Sequence, residues 1–341
     1  MVLKQIRVYV MLGIALLVSD SLLIKNAQAR VPALSFFSEH RGTADLYLID
    51  SIGQNLRKLD TNKAKKGGQH TWSPDGRFLA YVSREIGKTT IHLIDLRSKE
   101  SRRLIDHPSR NHSPAWSPNG RWIGFVSDRT GDRQIYRIDV DGSDLKQLTK
   151  EGDNQNPAWS SDSQWIAFNS YRGPEHGAGN FLLYLMTADG GRLRKLAKNA
   201  LAGCTWSPNG KRIAYATANF GNESKNILVI DIDGKNLRRL TRLEVGEWAS
   251  NPAWSPDGQW IAYAFKRIVR VPGPGERLRV DEIFGDSAIH LVKATDGLSE
   301  PIEIVNELSL DLYPAWVPEA FLSVSPSTEK QTTLWGRLKQ H

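Results

Sequence analysis

The chain has 341 residues, of which 40% are hydrophobic and 24% are charged, so its composition is that of a globular protein with a sizeable core. Its net charge is +8, but the Lys and Arg residues are scattered along the whole chain, which argues against a nucleic-acid partner. Cys204 is the only cysteine, which excludes a disulfide within the chain.

The first 29 residues have the features of a secretory signal. Lys4 and Arg7 precede an apolar run at residues 8–18, and Ala27-Gln28-Ala29 provides small residues at a cleavage point. The run is shorter than the roughly 20 residues that a membrane-spanning helix needs. We therefore predict a signal peptide at residues 1–29, a periplasmic or secreted protein, and no membrane span after cleavage. An uncleaved anchor is the alternative.

Six tryptophans then begin copies of one motif. Each copy reads Trp-Ser-Pro-Asp/Asn-Gly followed by an apolar strand pattern, in full or in degenerate form, and successive tryptophans are 44, 43, 47, 48 and 62 residues apart. A period of about 45 residues fits the four short strands of a β-propeller blade. We predict that these tryptophans pack between blades and stabilise the fold: Trp72, Trp116, Trp159, Trp206, Trp254 and Trp316.

The second copy shows how one repeat makes one blade. Residues 113–116 form a short strand, and the Ser117-Pro118-Asn119-Gly120 turn combines a proline that fixes φ with a glycine that accepts positive φ. Residues 122–126, 134–138 and 145–149 supply three further strands. Their alternating apolar positions predict packing against both neighbouring blades.

The two ends of the repeat region complete one another. Residues 313–316 form a first strand that no second strand follows, whereas residues 34–37 begin directly with a second-strand pattern. The sequence thus predicts an all-β fold, a six-bladed β-propeller at residues 30–318 whose closing blade is shared between the N-terminal and C-terminal strands. Residues 319–341 remain as a C-terminal tail, which we predict to be flexible.

The repeats, with the Ser-Asp-Arg-x-Gly loop at residues 127–131 and the Asp-x-Asp-Gly turns at 139–142 and 231–234, resemble the TolB-like family of WD-like propellers in bacterial envelope proteins. The resemblance covers roughly residues 34–318. It implies a periplasmic, six-bladed propeller that binds a peptidoglycan-associated lipoprotein and supports envelope integrity. Family members also carry an α/β domain ahead of the propeller. This sequence has no room for that domain after residue 29, so the resemblance implies fold and compartment rather than a Tol-system role.

The connections between strands sort onto two faces. The first-to-second and third-to-fourth connections share one face and are short and uniform, whereas the other two kinds share the opposite face and vary. Three adjacent repeats have long second-to-third connections, at residues 172–180, 217–225 and 267–285. The last combines apolar residues with Arg267, Arg270 and Arg277, a mixture typical of protein interfaces. We predict that the variable face is the binding face.

The residue three positions before each motif tryptophan begins the innermost strand and should ring the channel opening on the same face. These positions are Gln69, Ser113, Asn156, Gly203, Asn251 and Tyr313. Five of these positions and three arginines of the longest connection are the candidate partner-binding residues. They are Gln69, Ser113, Asn156, Asn251, Tyr313, Arg267, Arg270 and Arg277. The expected partner of this monomer is another envelope protein or a peptide.

No catalytic residue is assigned. The rival hypothesis is a propeller enzyme of the lyase or glycan-acting kind with its site at the channel mouth, for which His70, His112 and Arg270 are candidates, although no spacing brings them together. The histidines and the Asp-x-Asp-Gly turns lack metal-ligand spacing, so we predict neither a metal site among them nor a cofactor. A divalent cation in the central channel is a third alternative. Cys204 is predicted to be a small core residue.

Overall fold

The computed structural model describes residues 32–40, 43–59, 61, 68–85, 88–172, 181–217, 224–268, 284–295, 297–308 and 313–324. Within these ranges the chain forms six four-stranded antiparallel sheets and one short helix. The predicted signal peptide lies outside them. No helix in the described part of the chain is long and apolar enough to cross a membrane.

Five sheets are each made of four consecutive strands, and we number the blades from the N-terminus. Blade 2 contains β4 (His70–Trp72), β5 (Phe78–Glu85), β6 (Lys88–Asp95) and β7 (Ser101–Arg103). Blade 3 contains β8 (Asn111–Trp116), β9 (Trp122–Thr130), β10 (Asp132–Asp139) and β11 (Lys146–Gln147). Blade 4 contains β12 (Asp153–Trp159), β13 (Trp165–Tyr171), β14 (Phe181–Thr187) and β15 (Arg194–Lys198). Blade 5 contains β16 (Ala200–Trp206), β17 (Arg212–Thr217), β18 (Ile227–Asp231) and β19 (Arg238–Arg239). Blade 6 contains β20 (Glu247–Trp254), β21 (Trp260–Ile268), β22 (Phe284–Lys293) and β23 (Ile302–Leu308).

Blade 1 is built from both ends of the propeller: β24 (Ala315–Trp316), β1 (Ala33–His40), β2 (Thr43–Asp50) and β3 (Arg57–Leu59). Leu34 pairs with Trp316 in an antiparallel register, and the Val317 N–H donates to the Ala33 carbonyl at 2.9 Å. The predicted six-bladed propeller with a shared closing blade is therefore confirmed. Closure matters because it covers the β1 edge that would otherwise be open to pairing with another chain.

The core lies between the blades because successive strand residues point to opposite faces of a sheet. Phe36 packs with Ala262 and Ile289 of blade 6. Its neighbour Phe37 points the other way and packs with Leu79 of blade 2. Each blade is thus held by apolar contacts on both faces, and no separate central core is needed.

Three motif tryptophans tie their blade to the preceding one through the indole N–H. Trp159 Nε1 donates to the Ala115 carbonyl at 3.0 Å. Trp206 and Trp316 donate in the same way to the carbonyls of residues 158 and 253, at 3.0 and 2.9 Å. In each case the acceptor residue immediately precedes the tryptophan of the previous blade and is an alanine.

Trp116 and Trp254 depart from this pattern. The residue before the preceding tryptophan is a threonine in both cases, and its hydroxyl accepts the backbone N–H of the next tryptophan, at 3.3 Å for Thr71 and 3.5 Å for Thr205. Trp116 Nε1 instead donates to the Gly120 carbonyl of its own turn at 3.3 Å. The Trp254 Nε1 atom is buried and has no hydrogen-bond partner among the described residues.

The first residues of the predicted tail belong to the folded body, which corrects the boundary placed at residue 318. Helix α1 (Glu319–Val324) follows the last tryptophan, and Phe321 is buried with its ring centroid 4.9 Å from that of Trp72. Gly76 makes this approach feasible, since a Cβ there would lie 2.7 Å from Phe321 Cβ. Residues 325–341, the rest of the tail predicted to be flexible, lie outside the described residues.

Candidate binding face at the channel mouth

The innermost strands of all six blades converge on a cavity of about 130 Å³. Each blade contributes two consecutive residues to its wall. The lining residues are Gln69, His70, Ser113, Pro114, Asn156, Pro157, Gly203, Cys204, Asn251, Pro252, Tyr313 and Pro314. The structure therefore brings together all six positions that the spacing from the tryptophans selects.

The backbone at this ring is irregular in four blades. Ser113, Asn156 and Asn251 have φ values of 51°, 52° and 51°, and Gly203 has 97°. The pairing register with the second strand shifts beside each of them, as in a β-bulge. A left-handed conformation costs a non-glycine residue roughly 1–3 kcal/mol, and such positions cluster at ligand sites.

Gln69 links the ring positions of blades 2 and 3. Its Oε1 atom accepts the Ser113 backbone N–H at 2.6 Å and the Ser113 hydroxyl at 3.3 Å. The same hydroxyl lies 3.0 Å from His112 Nδ1. These groups bond to one another, so the polar ring is pre-ordered.

Asn169 organises the ring between blades 4 and 5, and the sequence analysis missed it. Its side chain is buried on β13, where Oδ1 accepts from Asn156 Nδ2 and from the Gly203 N–H, both at 3.2 Å. Its own amide donates to the Ala200 carbonyl at 3.0 Å. The available signal was an amide directly after the apolar run Trp165–Phe168 of the second strand.

The two histidines of the enzyme hypothesis form hydrogen-bonding contacts with neighbouring residues of the fold. His70 lies 2.8 Å from Ser35 Oγ through Nε2 and 3.3 Å from the Gly68 carbonyl through Nδ1, and burial lowers the pKa of His70 to about 4. Burial and the nearby Arg133 charge lower the pKa of His112 to about 4, and His112 is not part of the cavity lining. Arg270 lies outside the described residues.

Cys204 borders the cavity as well as the blade 4–5 core cluster. Burial raises the pKa of its thiol to about 12, and Sγ donates to the Asn156 carbonyl at 3.5 Å. Nucleophilic catalysis needs a thiolate and an adjacent base. The described lining residues include no carboxylate, Lys or Arg, and the described part of the chain holds no group of three His, Cys, Asp or Glu residues placed to bind a metal.

A cationic and aromatic cluster flanks the ring between blades 5 and 6, where two of the long connections begin or end. Lys225 Nζ lies 3.3 Å from the centroid of the Trp248 ring, and burial together with the Lys266 charge lowers the pKa of Lys225 to about 8. Arg267 donates to Glu247 Oε1 at 2.7 Å. We call these residues the 5–6 cluster. Most of the connection at residues 267–285, including Arg270 and Arg277, lies outside the described residues.

Comparison with known proteins agrees with this architecture. Residues 33–256 match the family described as the TolB beta propeller domain (PD40). An uncharacterized protein of Agrobacterium fabrum is 32% identical over 117 residues, which are 32% of this chain and 38% of that protein. The Tol-Pal system protein TolB of Desulfosudis oleivorans is 28% identical over 111 residues, or 33% of this chain and 20% of that protein. The chain thus spans less than half the length of these curated relatives.

The fold is also found in a solved structure. TolB from Acinetobacter baumannii superposes with a TM-score of 0.62 at 21% identity, covering 84% of this chain and 67% of that one. Identity at this level shows the fold alone. The repeat motif, the six blades and the matched family over residues 33–256 together establish that the chain belongs to the TolB β-propeller family.

Proposed function

We propose that this protein is an exported, non-catalytic scaffold that binds another envelope protein, or a peptide segment of one, at its channel-mouth face. The observation that carries the proposal is the cavity to which all six blades contribute hydrogen-bonding groups. The long connections of blades 4 to 6 leave from the same face. A rigid scaffold with variable loops on one face is a common arrangement for recognition.

The chemistry of this face favours a macromolecular partner. At about 130 Å³ the cavity is smaller than the roughly 300–1,000 Å³ of most small-molecule sites. The flanking 5–6 cluster combines Trp248 with Arg267, and Trp and Arg are enriched in protein interfaces. Lys225 and Lys266 add positive charge, so the partner surface is expected to carry carboxylates at this point.

The proposed compartment is the periplasm, which rests on the signal-like residues 1–29 and on the family. The named relative belongs to a Tol-Pal system, but the match covers 20% of that protein. A role in that system is therefore not carried over to this chain. We propose that the protein acts as a monomer and that its partner is an envelope protein of the cell that produces it.

Shortening the longest connection tests the proposal. Replacing residues 269–283 by a two-residue turn leaves β21 and β22 intact and should weaken partner capture from the cell's own envelope fraction. The matched control carries Asp141→Ala and Asp233→Ala in the Asp-x-Asp-Gly turns of the opposite face, and it should capture normally. Loss of capture in the control alone would place the interface on the wrong face. Glycan cleavage by the purified protein that disappears in His70→Gln would instead support the enzyme alternative.

A further inference from the structure

On the face of the short turns, a groove of about 320 Å³ opens between blades 2 and 3. One wall is the Ser73-Pro74-Asp75 turn of blade 2, and the other is Trp116 with the Pro118-Asn119-Gly120 turn of blade 3. Phe78, Leu93 and Val140 add apolar groups to the lining, and Arg102 borders it with its guanidinium on the Val140 carbonyl. The volume lies at the lower end of the roughly 300–1,000 Å³ range of binding pockets, which leaves room for one large side chain.

The corresponding space is closed at the next three blade junctions. The Asn119 N–H donates to Ser163 Oγ at 3.0 Å between blades 3 and 4. A Cβ at Gly210 would lie 3.1 Å from Ser161 Oγ, and one at Gly258 would lie 3.8 Å from Pro208 Cδ. At Gly120 an added Cβ would meet no described atom within 4 Å. Among the four junctions from blade 2 to blade 6, the described residues leave this space open only between blades 2 and 3.

At the junction between blades 1 and 2 the chain fills the equivalent space with its own aromatic residue. Trp72 and Gly76 hold the same motif positions as Trp116 and Gly120, and Phe321 from α1 packs against both. Trp72 is accordingly 7% exposed, whereas Trp116 stays half-buried. An aromatic side chain from the C-terminal region therefore fills the space beside the motif tryptophan at this junction.

We propose that Trp335, in the C-terminal segment beyond the described residues, inserts into the groove beside Trp116 of the same molecule. Helix α1 ends at Val324, three residues after Phe321, which packs beside Gly76 in the turn whose residues Ser73 to Asp75 form the groove wall. Trp335 lies eleven positions beyond Val324, a distance along the chain that can span up to about 36 Å when extended. Adjacent packed sheets are only about 10 Å apart, so the segment reaches the groove easily.

The composition of the segment fits this occupant. Trp335 is the only Phe, Tyr or Trp in residues 325–341, and Leu334 precedes it in an otherwise mostly polar sequence. A polar segment cannot bury an indole by itself, so the indole gains most from an apolar groove nearby. The contact of Trp335 with the groove lies on the face opposite to the proposed partner-binding face and is independent of it.

Cleavage of the full-length chain by an arginine-specific protease tests the proposal, because Arg337 is the only arginine beyond residue 324. Release of the tetrapeptide 338–341 is followed by mass spectrometry. Docking of Trp335 should protect this site, so Trp335→Ala should accelerate release by roughly tenfold, the factor that corresponds to 1.4 kcal/mol of docking free energy. Filling the groove with Val140→Trp should have the same effect without altering the tail.

The matched control for the groove is Ile232→Trp. The Ile232 carbonyl accepts the Arg194 guanidinium as the Val140 carbonyl accepts the Arg102 guanidinium, but Ile232 lies at the closed junction of blades 4 and 5. This variant should release the tetrapeptide at the wild-type rate. Equal rates for wild type and Trp335→Ala would overturn the proposal, and so would equal acceleration by both Trp insertions. Protection that increases with protein concentration would assign the groove to the tail of a second copy.

Discussion

Ser35 Oγ lies 2.8 Å from Trp72 Nε1 and accepts the indole hydrogen bond at the seam of the propeller. The hydroxyl itself donates to the Ala315 carbonyl at 3.2 Å, which is the acceptor position that other indoles reach directly. One side chain of the N-terminal strand thereby connects the C-terminal strand to blade 2. The seam is held by this relay as well as by the β1–β24 pairing.

Ser35→Ala should destabilise the protein by about 1–3 kcal/mol, because it leaves the buried indole N–H of Trp72 without its acceptor. The free energy of unfolding from urea titration measures the loss. Ser143→Ala, in an exposed turn, is the control and should change stability by less than about 0.5 kcal/mol. Equal stability of the two variants would mean that the relay contributes nothing.

Trp159→Phe and Trp254→Phe form a matched pair in blades 4 and 6. Both remove similar indole packing, but only the Trp159 indole donates to a carbonyl of the preceding blade. Trp159→Phe should therefore cost about 0.5–1.5 kcal/mol more than Trp254→Phe. The comparison is made by chemical denaturation, and a larger loss in Trp254→Phe would contradict the assigned bonds. Replacement of Trp159 by Ala should cost about 3–5 kcal/mol, as for other buried large aromatics.

Two truncated chains distinguish the contribution of the closing strand to stability from that of the C-terminal tail. A chain ending before Leu312 loses β24 and α1, exposes the β1 edge and uncovers Trp72, so cooperative unfolding should disappear. A chain ending after Val324 retains both elements and should keep a single calorimetric transition. Unchanged melting of the shorter chain would contradict closure by both termini.

Acidification should destabilise the fold through His70. Burial lowers its folded-state pKa to about 4, below the unfolded value near 6.5, so the unfolded chain binds the proton first. The resulting stability is fully present above pH 6.5 and is lost as the pH falls towards 4, by about 1.4 kcal/mol per pH unit. In urea titrations between pH 5 and 7, His70→Gln should show a shallower pH dependence, whereas parallel curves for variant and wild type would exclude this origin.

Residue spacing predicted the propeller, the shared blade and the ring around the channel, because a repeat places equivalent residues at equivalent depths. Features that depart from the repeat were harder to predict from the sequence. Helix α1 has six residues, too few to show a helical period, and so Phe321 was assigned to a tail. Asn169 was missed because one amide in an apolar strand reveals its role only when its partners on neighbouring strands are known. The groove beside Trp116 exists because no described atom of the neighbouring blade lies close to Gly120, and the repeat motif alone does not indicate such a gap.

The central claim, that partners bind the channel-mouth face, is tested most directly by site-specific photo-cross-linking in the producing cell. A photo-reactive phenylalanine analogue replaces Tyr313 in the ring or Leu237, which is 54% exposed in a turn of the opposite face. We predict that one envelope protein is cross-linked from position 313 and not from 237, and that Arg267→Glu reduces its yield. A partner captured from position 237 and absent from position 313 would contradict the account.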